Sequence, residues 1–507
     1  MAIAQTKSAQ PGILSATVVT VEADLSRGLY SFSLVGLAGK AVEEARDRVS
    51  AAIKNSGFKS PKSQNHKITI SLAPADLKKE GPLFDLPIAL AYLLATGDVT
   101  ADVSRHLFIG ELGLDGSLRP VKGVLPIAQA AAKAGYRELI VPTENAAEAA
   151  LVSSILVTPA ENLLDVIKHI DETREDATAI VPQGETIITD HFATTKTRLE
   201  DIKGQETGKR GLLIAAAGRH NQILVGPPGT GKTMLARAFQ SLLPPLSSEE
   251  ALEVTSIHSV AGTFAGEVST TPPFRTPHHT ASHTSLVGGG THPRPGEVTL
   301  AHKGVLFLDE LPEFERRSID ALRQPLEDRV VSISRVQGSA LFPADFILVA
   351  AMNPHRGSED GGDYAAAMLE TYKHKISGPI LDRIDLWLPV PHVPYETLTK
   401  KREEDNGESE TEAARAAILK ARARQRERFR RRPITTNSEM SARDIEELIV
   451  LSGEVQDLLR SSSEKLKLSP RAYHRVIKVA RTIADLEDRE HIRPEHLLEA
   501  LQYRVQL

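Results

Sequence analysis

An octapeptide constrains this chain more tightly than any other stretch: Gly226-Pro227-Pro228-Gly229-Thr230-Gly231-Lys232-Thr233. It follows the apolar run NQILV and leads into MLARAFQSLL, a segment with helical patterning. A glycine-rich turn between a strand and a helix is the setting a P-loop requires. Its glycines let backbone N–H groups curl around phosphate oxygens, and the helix N-terminus adds partial positive charge. Lys232 is placed to reach the β- and γ-phosphates, and the Thr233 hydroxyl to hold Mg²⁺. The motif therefore predicts an α/β core that takes ATP and Mg²⁺.

Downstream, Gly304-Val-Leu-Phe-Leu-Asp309-Glu310 is an apolar run ending in two carboxylates. A buried parallel strand would deliver both to the carboxyl edge of the sheet, where ligands of such folds bind. Asp309 is then the residue acting on Mg²⁺, and Glu310 the one that orients and polarises the attacking water. An isolated acidic pair after a strand more often caps a helix; behind a P-loop it reads as the second half of the site. A third apolar strand, DFILVAAMN, ends at Asn353. That amide is a candidate for touching the γ-phosphate or its water, with a turn cap as the plain alternative.

At 507 residues the chain is too long for one core and suggests about three domains. A net charge of -5 gives no global nucleic-acid signature, and no apolar stretch is long enough to span a bilayer. The absence of cysteine excludes disulfides, a cysteine nucleophile and thiolate metal sites, and fits a cytoplasmic location. We place an α+β domain over residues 1–170 and a linker without periodicity over 171–197. The P-loop core follows over 198–395, and a helix-patterned C-terminal region over 396–507. In the first domain, SATVVTVEADL, HKITISLAP and ELIVP read as strands. KAVEEARDRVSAAIKNSGF reads as one helix ending at Gly57.

These residues together resemble the Mg-chelatase-like branch of AAA+ proteins, and most closely its ComM/YifB-type, competence-related ATPases. The resemblance runs over nearly the whole chain. It includes RTPHHTASHTSLVGGGTHPRPGEVTLAHKGVLFLDELPEF, RQPLEDRVVSISRVQGSALFPADFILVAAMNP, SGPILDRIDL and LSPRAYHRVIKVARTIADL. It implies that Arg383 is an arginine finger acting on ATP held by a neighbouring subunit, and that Arg471 is sensor 2 on a helical lid. Both roles suit guanidinium chemistry. A finger acting in trans implies a homo-oligomer, by resemblance a hexamer. The segment around Gln337 reads as a β-hairpin, and the resemblance makes Arg335 a candidate contact for a DNA backbone, a solvated hairpin being the alternative.

The first domain resembles the Lon-protease fold that this family carries. Leu83 and Leu125 stand where active Lon domains have a serine and a lysine, so no peptidase activity is expected. Family members commonly carry a cysteine cluster after the Asn-Pro of sensor 1; here that region has none, and only His355 and His374 remain. His278 and His279 are adjacent, which disfavours a shared metal. The basic run from Arg415 to Arg432 is either a solvated helix face or a phosphate contact. With aromatics at 4%, base stacking is not expected to dominate.

The resemblance implies an ATP-driven motor on single-stranded or branched DNA, with helicase or branch-migration activity in recombination of incoming DNA during natural transformation. Recombination proteins are expected partners, and no membrane is. The alternative is a chelatase-type ATP-dependent remodeller of a protein partner.

Overall fold

The computed structural model describes residues 2–188, 191–264, 268, 270–289, 294–335, 338–353, 376–399 and 409–504. The chain divides into two compact units, Met1–Thr189 with Ala251–Ser269, and Asp190–Glu250 with Thr270–Leu507.

In the first unit, strands Ala2–Pro11, Ala16–Arg27, His66–Ala73 and Ser31–Val35 form a sheet in that order. Strand Ala16–Arg27 alternates, with Val19, Val21, Ala23 and Leu25 buried between outward polar residues, the signature of a sheet with one covered face. Strands His106–Phe108, Glu138–Pro142 and Leu156–Ala160 form a second, parallel sheet, and its central ELIVP strand is buried throughout. Helix Asp85–Thr96 lies almost wholly in the core and stops at Gly97, which adopts φ 77.

Two details differ from the sequence reading. Strand Ala2–Pro11 was not anticipated: its buried residues Thr6, Ser8 and Ala9 are polar or small, so it lacks an apolar alternation. The helix expected to run unbroken from Lys40 is interrupted at Glu44, giving Lys40–Glu43 and Ala45–Asn55. Residues 171–188 hold no regular element, yet they do not hang free. Backbone bonds tie Thr178 to the Lys168 carbonyl (2.9 Å) and Gln183 to that of Val157 (2.8 Å).

The second unit is built on a five-stranded sheet in the order Phe274–Arg275, Val305–Leu308, Ile347–Met352, Gln222–Val225 and Leu386–Pro389. Every ladder in it is parallel. Its VLFL and ILVAAM strands are buried at every position, which is why they read as continuous apolar runs. The C-terminal helices Glu410–Arg428, Gly453–Lys465, Pro470–Leu486 and Pro494–Gln502 do not form a core of their own. Ile418, Ala421, Val476, Ile483 and Leu497 join the same cluster as Leu224, Val305 and Val349 of the sheet.

Two arginines of the basic run in helix Glu410–Arg428, Arg415 and Arg422, close helix ends. Arg415 donates to the Ser241 carbonyl (2.8 Å), in the last turn of helix Lys232–Leu242. Arg422 and Gln425 donate to Ala216 and Ala217 (2.8 and 3.1 Å), in the last turn of helix Glu206–Gly218. Guanidinium groups there satisfy carbonyls that lack helical partners and meet the negative end of the dipole.

Candidate active site

Strand Gln222–Val225 delivers the chain to Gly226, where the loop turns across the sheet edge. A Cβ on Gly226 would lie 2.0 Å from the Val390 carbonyl oxygen, so no other residue fits. Gly229 and Gly231 adopt φ 78 and 95, a region that L side chains avoid. Helix Lys232–Leu242 begins directly behind them. Its Lys232 ammonium folds back to donate to the Gly226 and Pro227 carbonyls, at 2.7 Å each. Burial pushes Lys232 below its ordinary pKa, while Asp309 and Glu310 pull in the opposite direction.

Parallel register assembles the rest. Val225 pairs with Met352 and Leu308 with Ala350, so the residues that follow these strands emerge side by side at one edge. Asp309, Glu310 and Asn353 are those residues. The Thr233 hydroxyl donates to Asp309 Oδ2 at 3.0 Å, and the Glu310 backbone N–H donates to Asp309 Oδ1 at 3.0 Å. A hydroxyl beside a carboxylate is the hard oxygen donor set that Mg²⁺ takes alongside phosphate and water, so the residues fit this ion. Glu310 has a left-handed backbone, φ 52, and its carboxylate lies 3.7 Å from His279 Nδ1. The rings of His278 and His279 lie tilted by 33° with centroids 4.1 Å apart. Among the described residues, no group of three or more His, Cys, Asp or Glu side chains is arranged to hold a metal.

Arg383 and Arg471 are gathered at a different place. Both pair with Glu327, Arg471 at 3.5 Å, and Arg383 also donates to the Pro379 carbonyl at 2.5 Å. Burial lowers the Arg383 pKa, with the nearby Arg471, Arg475 and Arg323 adding to it. Arg335 ends strand Val330–Arg335 of a hairpin whose other arm is Gly338–Pro343. The Arg335 side chain and Gln337 lie outside the described residues, as do His355 and His374. Leu83 and Leu125 are both core residues of the first unit, 4% and 0% exposed.

Sequence reasoning missed the residues that connect these parts. Asn221 accepts from the Leu348 N–H (2.8 Å) and donates to the Arg383 carbonyl (3.1 Å), joining the P-loop strand, the Asn353 strand and the Arg383 segment. Asp385, buried, accepts from the Asn221 N–H and pairs with Arg475, one helical turn beyond Arg471. Burial pushes its carboxyl up, but Arg475 and then His220 outweigh it and hold the group well below the usual carboxylate range. Gln205 donates to the Thr230 and Pro391 carbonyls (3.2 and 2.7 Å) and so buttresses the P-loop. A lone Asn or Gln in a sequence carries no mark of such a role.

Comparison with known proteins decides the family. Residues 198–398 match the model for magnesium chelatase, subunit ChlI; residues 21–145 match that for subunit ChlI of Mg-chelatase; and residues 408–504 match the ChlI C-terminal model. The chain is 44% identical to an uncharacterized protein YifB of Salmonella typhimurium, over 100% of this chain and 97% of the relative. It is also 44% identical to a competence protein ComM of Haemophilus influenzae, over 97% and 95% of the two chains. The chain belongs to the ComM/YifB-type, Mg-chelatase-like family. A magnesium-chelatase 67 kDa subunit of Chlorobaculum parvum is more distant, 28% identical over 31% of this chain and 23% of its own. Membership in this Mg-chelatase-like AAA+ family implies ATPase activity and use of ATP with Mg²⁺. Among the described residues, no helix of this family member is long and apolar enough to cross a membrane.

Proposed function

We propose that this protein is a hexameric AAA+ motor that hydrolyses ATP to move along DNA, acting as a helicase or branch-migration motor in recombination of incoming DNA. The observation that carries the hydrolytic part is the convergence of Lys232, Thr233, Asp309, Glu310 and Asn353 on one sheet edge. The DNA part rests on full-length similarity to a protein named for competence.

In this reading the P-loop amides and Lys232 hold the β- and γ-phosphates, Lys232 exchanging its two loop carbonyls for phosphate oxygens. Thr233 and Asp309 would hold Mg²⁺, which neutralises charge on those oxygens. Glu310 accepts a hydrogen bond from the attacking water and polarises it, and Asn353 orients it. Arg383 of one subunit enters the site of its neighbour and stabilises the charge that spreads over the transferred group, with Arg471 as sensor 2. Arg335, at the end of its hairpin arm, contacts the DNA backbone. The N-terminal unit is a Lon-like assembly or binding module without peptidase activity, since the leucines Leu83 and Leu125 offer neither nucleophile nor base.

The test is the steady-state ATPase rate with single-stranded, duplex and four-way-junction DNA. Stimulation that disappears at high salt and in Lys232→Ala supports the motor. The matches to magnesium-chelatase models favour a second reading, an ATP-dependent remodeller of a protein partner. An ATPase indifferent to every DNA tested would sink the motor and leave that reading in place.

A further inference from the structure

The arginines of helix Glu410–Arg428 are not all consumed by closing helix ends. At the edge of the second unit where the sheet strands begin, a cavity of about 340 Å³ is lined by Arg219, Lys303, Arg422 and Arg426, with Pro244 and Pro245 among its walls. Arg219 precedes strand Gln222–Val225, and Lys303 precedes strand Val305–Leu308. Thr233, Asp309 and Asn353 lie at the opposite, carboxyl ends of the same strands, so this cavity is separate from the P-loop.

The four cations are not equally neutralised. Asp345 holds Arg219 and Lys303, at 3.0 Å each, and Glu250 lies 3.7 Å from Lys303. Arg422 and Arg426 have no carboxylate within ion-pair distance among the described residues. Arg422 donates through Nη2 to the Ala216 carbonyl, while its buried Nε has no partner. Burial, and then the neighbouring Arg219, push Arg422 down to about 9. A buried guanidinium short of partners beside another cation is relieved by an anion, and guanidinium forks match phosphate oxygens.

We propose that this cavity binds a small phosphate-bearing molecule, up to about the size of a nucleotide, independently of the ATP site. Its volume sits at the low end for small-molecule pockets. At about 340 Å³ the cavity is too small to take a strand of DNA, so a polynucleotide is not the occupant.

The probe is inorganic pyrophosphate, titrated calorimetrically into the full chain carrying Lys232→Ala, which removes the P-loop grip on phosphate. Saturable binding should persist in Lys232→Ala, weaken at least tenfold when Arg426→Glu or Arg422→Gln is added, and be displaced by a nucleoside monophosphate. Arg422 also closes a helix end, so Arg426→Glu, at an exposed position, carries the test if Arg422→Gln does not fold. Arg426→Glu in the otherwise unchanged chain should leave the ATPase rate unaltered, keeping this site distinct from the hydrolytic one. Absence of pyrophosphate binding in Lys232→Ala, binding indifferent to Arg426→Glu, or displacement by a single-stranded oligonucleotide would each overturn the assignment.

Discussion

Glu310 is held in a left-handed backbone conformation, which costs a side-chain-bearing residue about 1–2 kcal/mol. The strain fits a residue kept for its carboxylate, since glycine would adopt that conformation freely. Replacing Glu310 by Gln keeps the shape and the backbone bond to Asp309 but removes the group that polarises water. Glu310→Gln should therefore bind ATP like the parent and lose hydrolysis by roughly 10²-fold or more, measured by nucleotide titration beside single-turnover rates. Normal turnover in that variant would remove Glu310 from the chemistry. Lys232, by contrast, already has two carbonyl partners, so it enters the reaction by exchanging hydrogen bonds rather than by gaining them.

Elements are joined here by buried polar side chains at strand starts. Asp385 is the clearest case, because its carboxyl stays ionised in the folded protein well below its ordinary pKa. The sign follows from linkage. The unfolded chain takes up a proton near pH 4 and the folded one only at lower pH, so this stabilisation is complete above about pH 5 and is lost as the pH falls. Trp387, the sole tryptophan, lies two residues away and reports unfolding of this sheet. Urea midpoints read from its fluorescence should fall between pH 5 and pH 3, and more shallowly in Asp385→Asn. An identical slope in that variant would show that Asp385 is not among the responsible groups.

Such joints also mark the limit of what the sequence discloses. Strands VLFL and ILVAAM and the P-loop were legible because continuous apolar runs and glycine spacing have few alternative uses. Strand Ala2–Pro11 was not, since its inward face is built from small and polar side chains. Asn221 and Glu327 were invisible because their partners are distant in the chain, so no local pattern links them. The basic run was legible as charge, but its use in closing helix ends depends on which carbonyls the fold brings beneath it.

On the scale of the whole molecule, Arg383 and Arg471 share one carboxylate, so they form a single cationic patch rather than two separate contacts. If Arg383 serves a neighbouring subunit, Arg383→Ala mixed with Lys232→Ala should recover part of the ATPase activity. In a mixed ring, an intact P-loop can then sit beside an intact finger. Mixtures no more active than the sum of the separate variants would argue against action in trans. The outermost strand of the large sheet, Leu386–Pro389, has a further consequence for the chain as a product of synthesis. Its Trp387 N–H donates to the carbonyl of Tyr503 at 2.9 Å, so a residue far downstream covers that edge. During translation this edge emerges uncovered and stays so until Tyr503 has left the ribosome. Over that interval it is a template for pairing with other nascent chains, which makes this strand a natural place for a chaperone to act.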